Sequence, residues 1–150
     1  TGADDFVVDV YHNGVKVPDE KRHLLEERFG ATAERVDVEV RRGDWLVFHV
    51  VNNRLRWGGA KYFAVAGSFG RDEFGFASDL SSGAWSACDS PREADRFIGK
   101  RDYLRHRAAS AIAIPWADGT PMMHAHAGPS WNGSPIWGAA PSTWIKVAVD

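Results

Sequence analysis

The sequence predicts a mainly β fold, an antiparallel β-sandwich carrying one or two short helices. Three observations carry this reading: several short runs with strand character, turn residues between them, and only two brief stretches with helix signals. The chain has 150 residues, the size of one ordinary domain, and no linker or internal repeat divides it. A single domain over 1–150 is expected, and the start at Thr1-Gly2-Ala3 reads as the cut edge of a longer protein or as a processed chain.

Taken in order, Phe6 to Val17 predicts a hairpin, because apolar and polar positions alternate around Asn13-Gly14, a strong two-residue turn signal. Pro18 to Phe29 predicts a short helix, with Asp19 at the cap, Leu24, Leu25 and Phe29 at helical spacing, and Gly30 at the stop. From Glu34 to Arg41 the residues alternate strictly, which predicts a strand with one wet face. Arg42-Gly43-Asp44 turns the chain. Trp45 to Val51 is apolar on nearly both faces and predicts a central strand.

Asn52 to Gly59 reads as a loop, Ala60 to Ala66 as a further strand, and 67–90 as irregular with one short strand. Ser90-Pro91-Arg92-Glu93 has the form of a capping box with proline at the first helical position, so a brief helix to about Ile98 is expected. Tyr103 to Ala109 is ambiguous between helix and strand. Ala111 to Trp116 reads as a buried strand and Trp144 to Val149 as the closing one, with the long segment from Ala117 to Thr143 between them.

Tyr11-His12-Asn13-Gly14-Val15-Lys16-Val17, followed by Val38 to Asn53 with Gly43-Asp44-Trp45-Leu46 at its centre, resembles a layout in galactose-binding-like jelly-roll domains. The resemblance spans about residues 5 to 67. It implies a jelly roll and, by family habit, a carbohydrate-binding module or glycosidase accessory domain at the cell surface or outside the cell. Many modules of that class hold a structural calcium, for which Asp4, Asp5, Asp9, Asp79 and Asp89 are the acidic candidates here.

Eighteen Lys+Arg against twenty Asp+Glu give a formal net charge of −2, with no long block of one sign, so the electrostatic footprint of a nucleic-acid binder is absent. No apolar run approaches the roughly 18 residues of a membrane helix, so insertion by a helix is not expected. Cys88 is the single cysteine, which excludes an internal disulfide or a multi-cysteine zinc site. It has no neighbouring histidine. No serine-nucleophile elbow, phosphate-cradling loop or His-Glu-x-x-His is present, and no catalytic residue is assigned.

Seven tryptophans are the unusual feature of the composition. Several fall in expected loops, where an indole face can pack on the C–H patch of a sugar while Arg and Asn read hydroxyls. Arg56 and Trp57 at one loop, with Trp131, Asn132 and Trp137 at another, form the expected contact set of a non-catalytic carbohydrate-binding module. The alternative is a structural or protein-interaction domain whose tryptophan-rich loops pack on a neighbouring domain or an identical subunit. A third reading, a metal-dependent jelly-roll enzyme, rests on His124-Ala125-His126. On an extended segment both imidazoles face one side, similar to the His-x-His of cupin enzymes, although no Glu follows at the usual interval.

Overall fold

The computed structural model describes residues 1–4, 6–28, 30–52, 61–69, 73–79, 83–103 and 120–150. Among them the chain is mainly β, every strand pair is antiparallel, and two short α-helices complete the fold.

After β1 (Gly2–Asp4), strands β2 (Phe6–His12) and β3 (Val15–Lys16) form the expected hairpin. Its turn has φ of 51° at Asn13 and 81° at Gly14, the two positive values that a type I′ turn requires. The segment after Pro18 departs from expectation. A single 3₁₀ turn (Asp19–Lys21) leads into β4 (Arg22–Arg28), which pairs with β5 (Ala31–Val36). Asp19 is not a cap but the first residue of that turn, and Pro18 holds the N-cap position without a side-chain hydrogen bond. Gly30, with φ of 91°, sits in the link between the two strands and is not a helix stop. Cross-strand bonds supply the reason: Arg22 Nε and Nη2 donate to the Glu34 carboxylate at 2.6 and 2.9 Å, which fixes β4 on β5.

The expected strand from Glu34 to Arg41 is also shorter, because β5 stops at Val36 and residues 37–40 run on without ladder pairing. Gly43, with φ of 92°, then turns the chain into β6 (Trp45–Val51), the expected central strand. β6 does not pair with the preceding segment. Its two edges are taken by β2 and by β11 (Ser142–Ala148).

The expected strand over Ala60 to Ala66 appears as β7 (Tyr62–Ala64), and β8 (Ala66–Phe69) pairs with β9 (Glu73–Ala77) in a separate ribbon. β10 (Trp85–Cys88) adds to β11. The brief helix is present as α1 (Ala94–Gly99), although no side chain caps it. The expected strand over Ala111 to Trp116 and the ambiguous 103–109 stretch lie outside the described residues, apart from Tyr103. A second helix, α2 (Thr120–Ala127), stands in a stretch expected to be extended.

Two larger sheets result, ordered β4-β5-β1-β7 and β10-β11-β6-β2-β3. Leu46, Phe48 and Val50 of β6 meet Phe63 of β7 in one buried cluster, with the Phe48 and Phe63 rings 5.1 Å apart. On the other face of the five-stranded sheet, Phe97 and Ile98 of α1 cover Val47, Cys88 and Trp144. The Trp45 indole N–H donates to the Ile98 carbonyl at 2.8 Å and ties that helix down.

Candidate functional site

β1 is only three residues long and lies between β5 and β7. The backbone N–H of Glu34 donates to the Thr1 carbonyl at 2.8 Å, and past that bond the four-stranded sheet opens into a groove of about 810 Å³. Residues 34–40 form one side and Val65, Ala66, Gly67 and Phe76 the other. Val10, Leu46 and Phe48 contribute from the five-stranded sheet, and α2 contributes Met123, His126 and Ala127.

The 34–40 side is built by alternation. Val36, Val38 and Val40 pack against the main core, while Asp37 and Glu39 face solvent. The Asp37 N–H donates to the Lys21 carbonyl at 2.9 Å, but the backbones of Val38, Glu39 and Val40 make no hydrogen bond to a described residue. Gly67 is required opposite them, because a Cβ there would run into the Phe76 ring.

Charge is distributed unevenly around the rim. Arg22 and Glu34 are both largely buried and satisfied, the guanidinium also donating to the Val7 and Val8 carbonyls at 2.8 Å. Asp37 is shared by His23 and Arg35, and His126 reaches Glu26 at 2.8 Å. Glu20 and Glu39 make no ion pair with a described residue, so the rim holds two uncommitted carboxylates against the Lys21 ammonium. The groove thus has an apolar interior of valines, Leu46 and Phe48 beneath a charged rim, and a concave surface of that mixed character can hold a ligand.

The expected tryptophan contact set is not assembled here. Trp137 is fully buried in the main core, and its indole N–H donates to the Ala140 carbonyl at 2.8 Å. Trp131 is 4% exposed, packs with Tyr62, Ala64 and Met123 in a separate cluster, and donates to the Val65 carbonyl at 3.3 Å. Neither ring has a face free for stacking, since each packs on core side chains. Asn132 is exposed beside Trp131, and Arg56 and Trp57 lie outside the described residues.

The histidine pair is separated by its secondary structure. On α2, positions two apart diverge by about 200° around the axis. His124 Nε2 lies 3.1 Å from the Trp131 carbonyl, whereas His126 turns to Glu26. No group of three potential metal ligands occurs among the described residues. Of the calcium candidates, Asp9 pairs with Lys16, and Asp89 accepts from the Ala139 and Ala140 N–H groups. Asp5 lies outside the described residues. The Cys88 thiol is buried and donates to the Ser90 carbonyl, and burial raises its pKa, the opposite of a reactive thiolate.

Sequence reasoning misses the groove. Its one signal is the strict alternation over 35–41, which by itself predicts a paired strand. Comparison with known protein families, known proteins and solved structures finds no match to this chain.

Proposed function

We propose that this chain is a non-catalytic protein-interaction domain of β-sandwich architecture that holds a segment of a partner protein in the groove beside Val36, Val38 and Val40. The observation that carries this reading is the groove, whose valine-lined side keeps main-chain groups without a hydrogen bond to any described residue. A sandwich is supported by the shared core between the two larger sheets, where Phe48 meets Phe63.

Carbohydrate in the same groove is the second reading. It is favoured by the uncommitted carboxylates Glu20 and Glu39 beside apolar surface, a mixture that suits a sugar ring and its hydroxyls. This reading retains Arg56 and Trp57 from the expected contact set.

Panning one peptide-display library and one saccharide panel against the same protein separates the two. Peptide binding that is lost in Val38→Arg, with the circular dichroism spectrum kept, supports the interaction domain. Saccharide binding lost in that variant transfers the groove to the second reading. No groove-dependent ligand of either class overturns both.

A further inference from the structure

We infer that β4 is a self-association edge: a second copy of this chain adds its own β4 antiparallel, about a two-fold axis at Leu24, and joins the two four-stranded sheets into one of eight strands. This goes beyond the interaction-domain reading and is independent of what the groove holds.

β4 stands at the end of its sheet, with β5 on one side and no strand on the other among the described residues. An edge of this kind is a template for pairing with another chain, and proteins that stay apart keep large apolar side chains off it. Here Leu24 is 63% exposed and Leu25 43%, adjacent at mid-strand. The main chain faces outward at the same place. The Asp37 N–H donates to the Lys21 carbonyl, so the bonds to β5 fall at Lys21 and His23, and the N–H and C=O of Arg22 and Leu24 point away from β5. Leu25 is the extra residue of a bulge, which makes Glu27 the next outward position.

Charge then selects the occupant and the register. With the axis at Leu24, that leucine meets its own copy, Arg22 lies opposite Glu27 of the second copy, and Glu27 lies opposite Arg22. Directly opposed residues in an antiparallel pair share a face, so each pair stands side by side. Glu27 is exposed and makes no ion pair with a described residue. Arg22 engages four of its five N–H groups with Glu34, Val7 and Val8, which leaves one at Nη1 for a further acceptor. Sliding the pair to the next outward position would set each Leu24 against a charge instead. The order of base, leucine and acid is its own complement when reversed, which is what a contact between identical patches requires.

The test is sedimentation equilibrium of the full chain. The wild type is expected to pass from monomer to dimer at concentrations up to about 1 mM and to stop there, because each copy has one such edge. Leu24→Lys and Leu24→Glu, substitutions at an exposed position with the circular dichroism spectrum kept, are each expected to stay monomeric. An equimolar mixture of these two variants associates, because the axis sets position 24 against itself. Glu27→Arg weakens association roughly tenfold, since two symmetric pairs turn repulsive at once. A wild type still monomeric at about 1 mM, assembly that continues past the dimer, a dimer that survives Leu24→Lys, or a mixture that associates no more than either variant alone overturns the inference.

Discussion

The Lys146 ammonium lies 4.1 Å from the centroid of the Phe97 ring and donates to the Lys100 and Tyr103 carbonyls at 2.6 and 3.3 Å. It is 1% exposed, at the centre of the contact between β11 and α1. Carbonyl oxygens and a ring face hold a buried cation less completely than a carboxylate would, and burial lowers the Lys146 pKa from 10.5 to about 8.

This shift has a pH signature. Between about pH 8 and 10.5 the native state holds fewer protons at Lys146 than the unfolded chain does, so this residue's contribution to stability rises with pH across that window. Below about 8 the amine is charged in both states, and its burial costs stability. The urea midpoint of the wild type minus that of Lys146→Met is therefore expected to climb from pH 8 to 10. Both proteins carry Cys88→Ala, because the Cys88 thiol interacts with the Lys146 charge, and taking the difference then removes the opposite trend from Tyr11, whose pKa is raised. A flat difference contradicts the assignment.

Trp131 and Trp137 serve folding, so their removal is expected to show first in stability. Truncating a buried tryptophan to alanine costs roughly 3–5 kcal/mol, or about 10 °C in melting temperature for a chain of this length. Trp131→Ala and Trp137→Ala should each produce a loss of that order. Thermal unfolding followed by circular dichroism checks it. A variant melting like the wild type would return that indole to the set of surface groups.

Those tryptophans illustrate what sequence could and could not disclose. Asn13-Gly14 specified its hairpin because the turn chemistry is local, and Trp45–Val51 announced a central strand because both of its faces are apolar. Arg22–Arg28 was not legible. Its Leu, Glu and Arg residues are good helix formers, and only pairing with β5, secured by the distant Glu34, makes it a strand. α2 was hidden by its setting among Gly and Pro, although Pro121 stands in its first turn, where proline is tolerated. The indoles misled for a related reason. They lie in connections, but Trp137 folds back onto its own loop through the Ala140 carbonyl, a closure no residue pattern encodes.

Two glycines separate space from backbone conformation. A Cβ on Gly138 would collide with the Thr143 side chain and the Asp89 carboxylate, which holds the Ala139 and Ala140 N–H groups. Gly138→Ala is expected to lose roughly 1–3 kcal/mol by overpacking. At Gly43 nothing lies within 4 Å of the point a Cβ would occupy, yet φ is +92°, so Gly43→Ala should lose about 1 kcal/mol from backbone strain alone. Equilibrium denaturation of both variants tests the order.

Asp44 joins the first hairpin to the start of β6 through its carboxylate. Oδ1 accepts from Asn13 Nδ2 at 2.7 Å, and Oδ2 accepts from His12 Nε2 and the Arg41 N–H, each at 2.8 Å. These donors, Asn13 foremost and His12 next, bring its pKa from 3.8 down to about 2. A depressed carboxylate pKa means that the unfolded chain binds the proton first on acidification. The stabilisation is therefore complete above about pH 4 and is lost as pH falls toward 2. Asp44→Asn keeps the shape but offers an N–H₂ group where one of the accepting oxygens stood. The difference in urea midpoint between wild type and Asp44→Asn is expected to be largest near neutrality and to shrink steadily below pH 4. Other carboxylates titrate in the same range, but they do so in both proteins and cancel. A difference that persists unchanged at pH 2 would show that the Asn13 and His12 contacts do not hold the carboxylate in its ionised form.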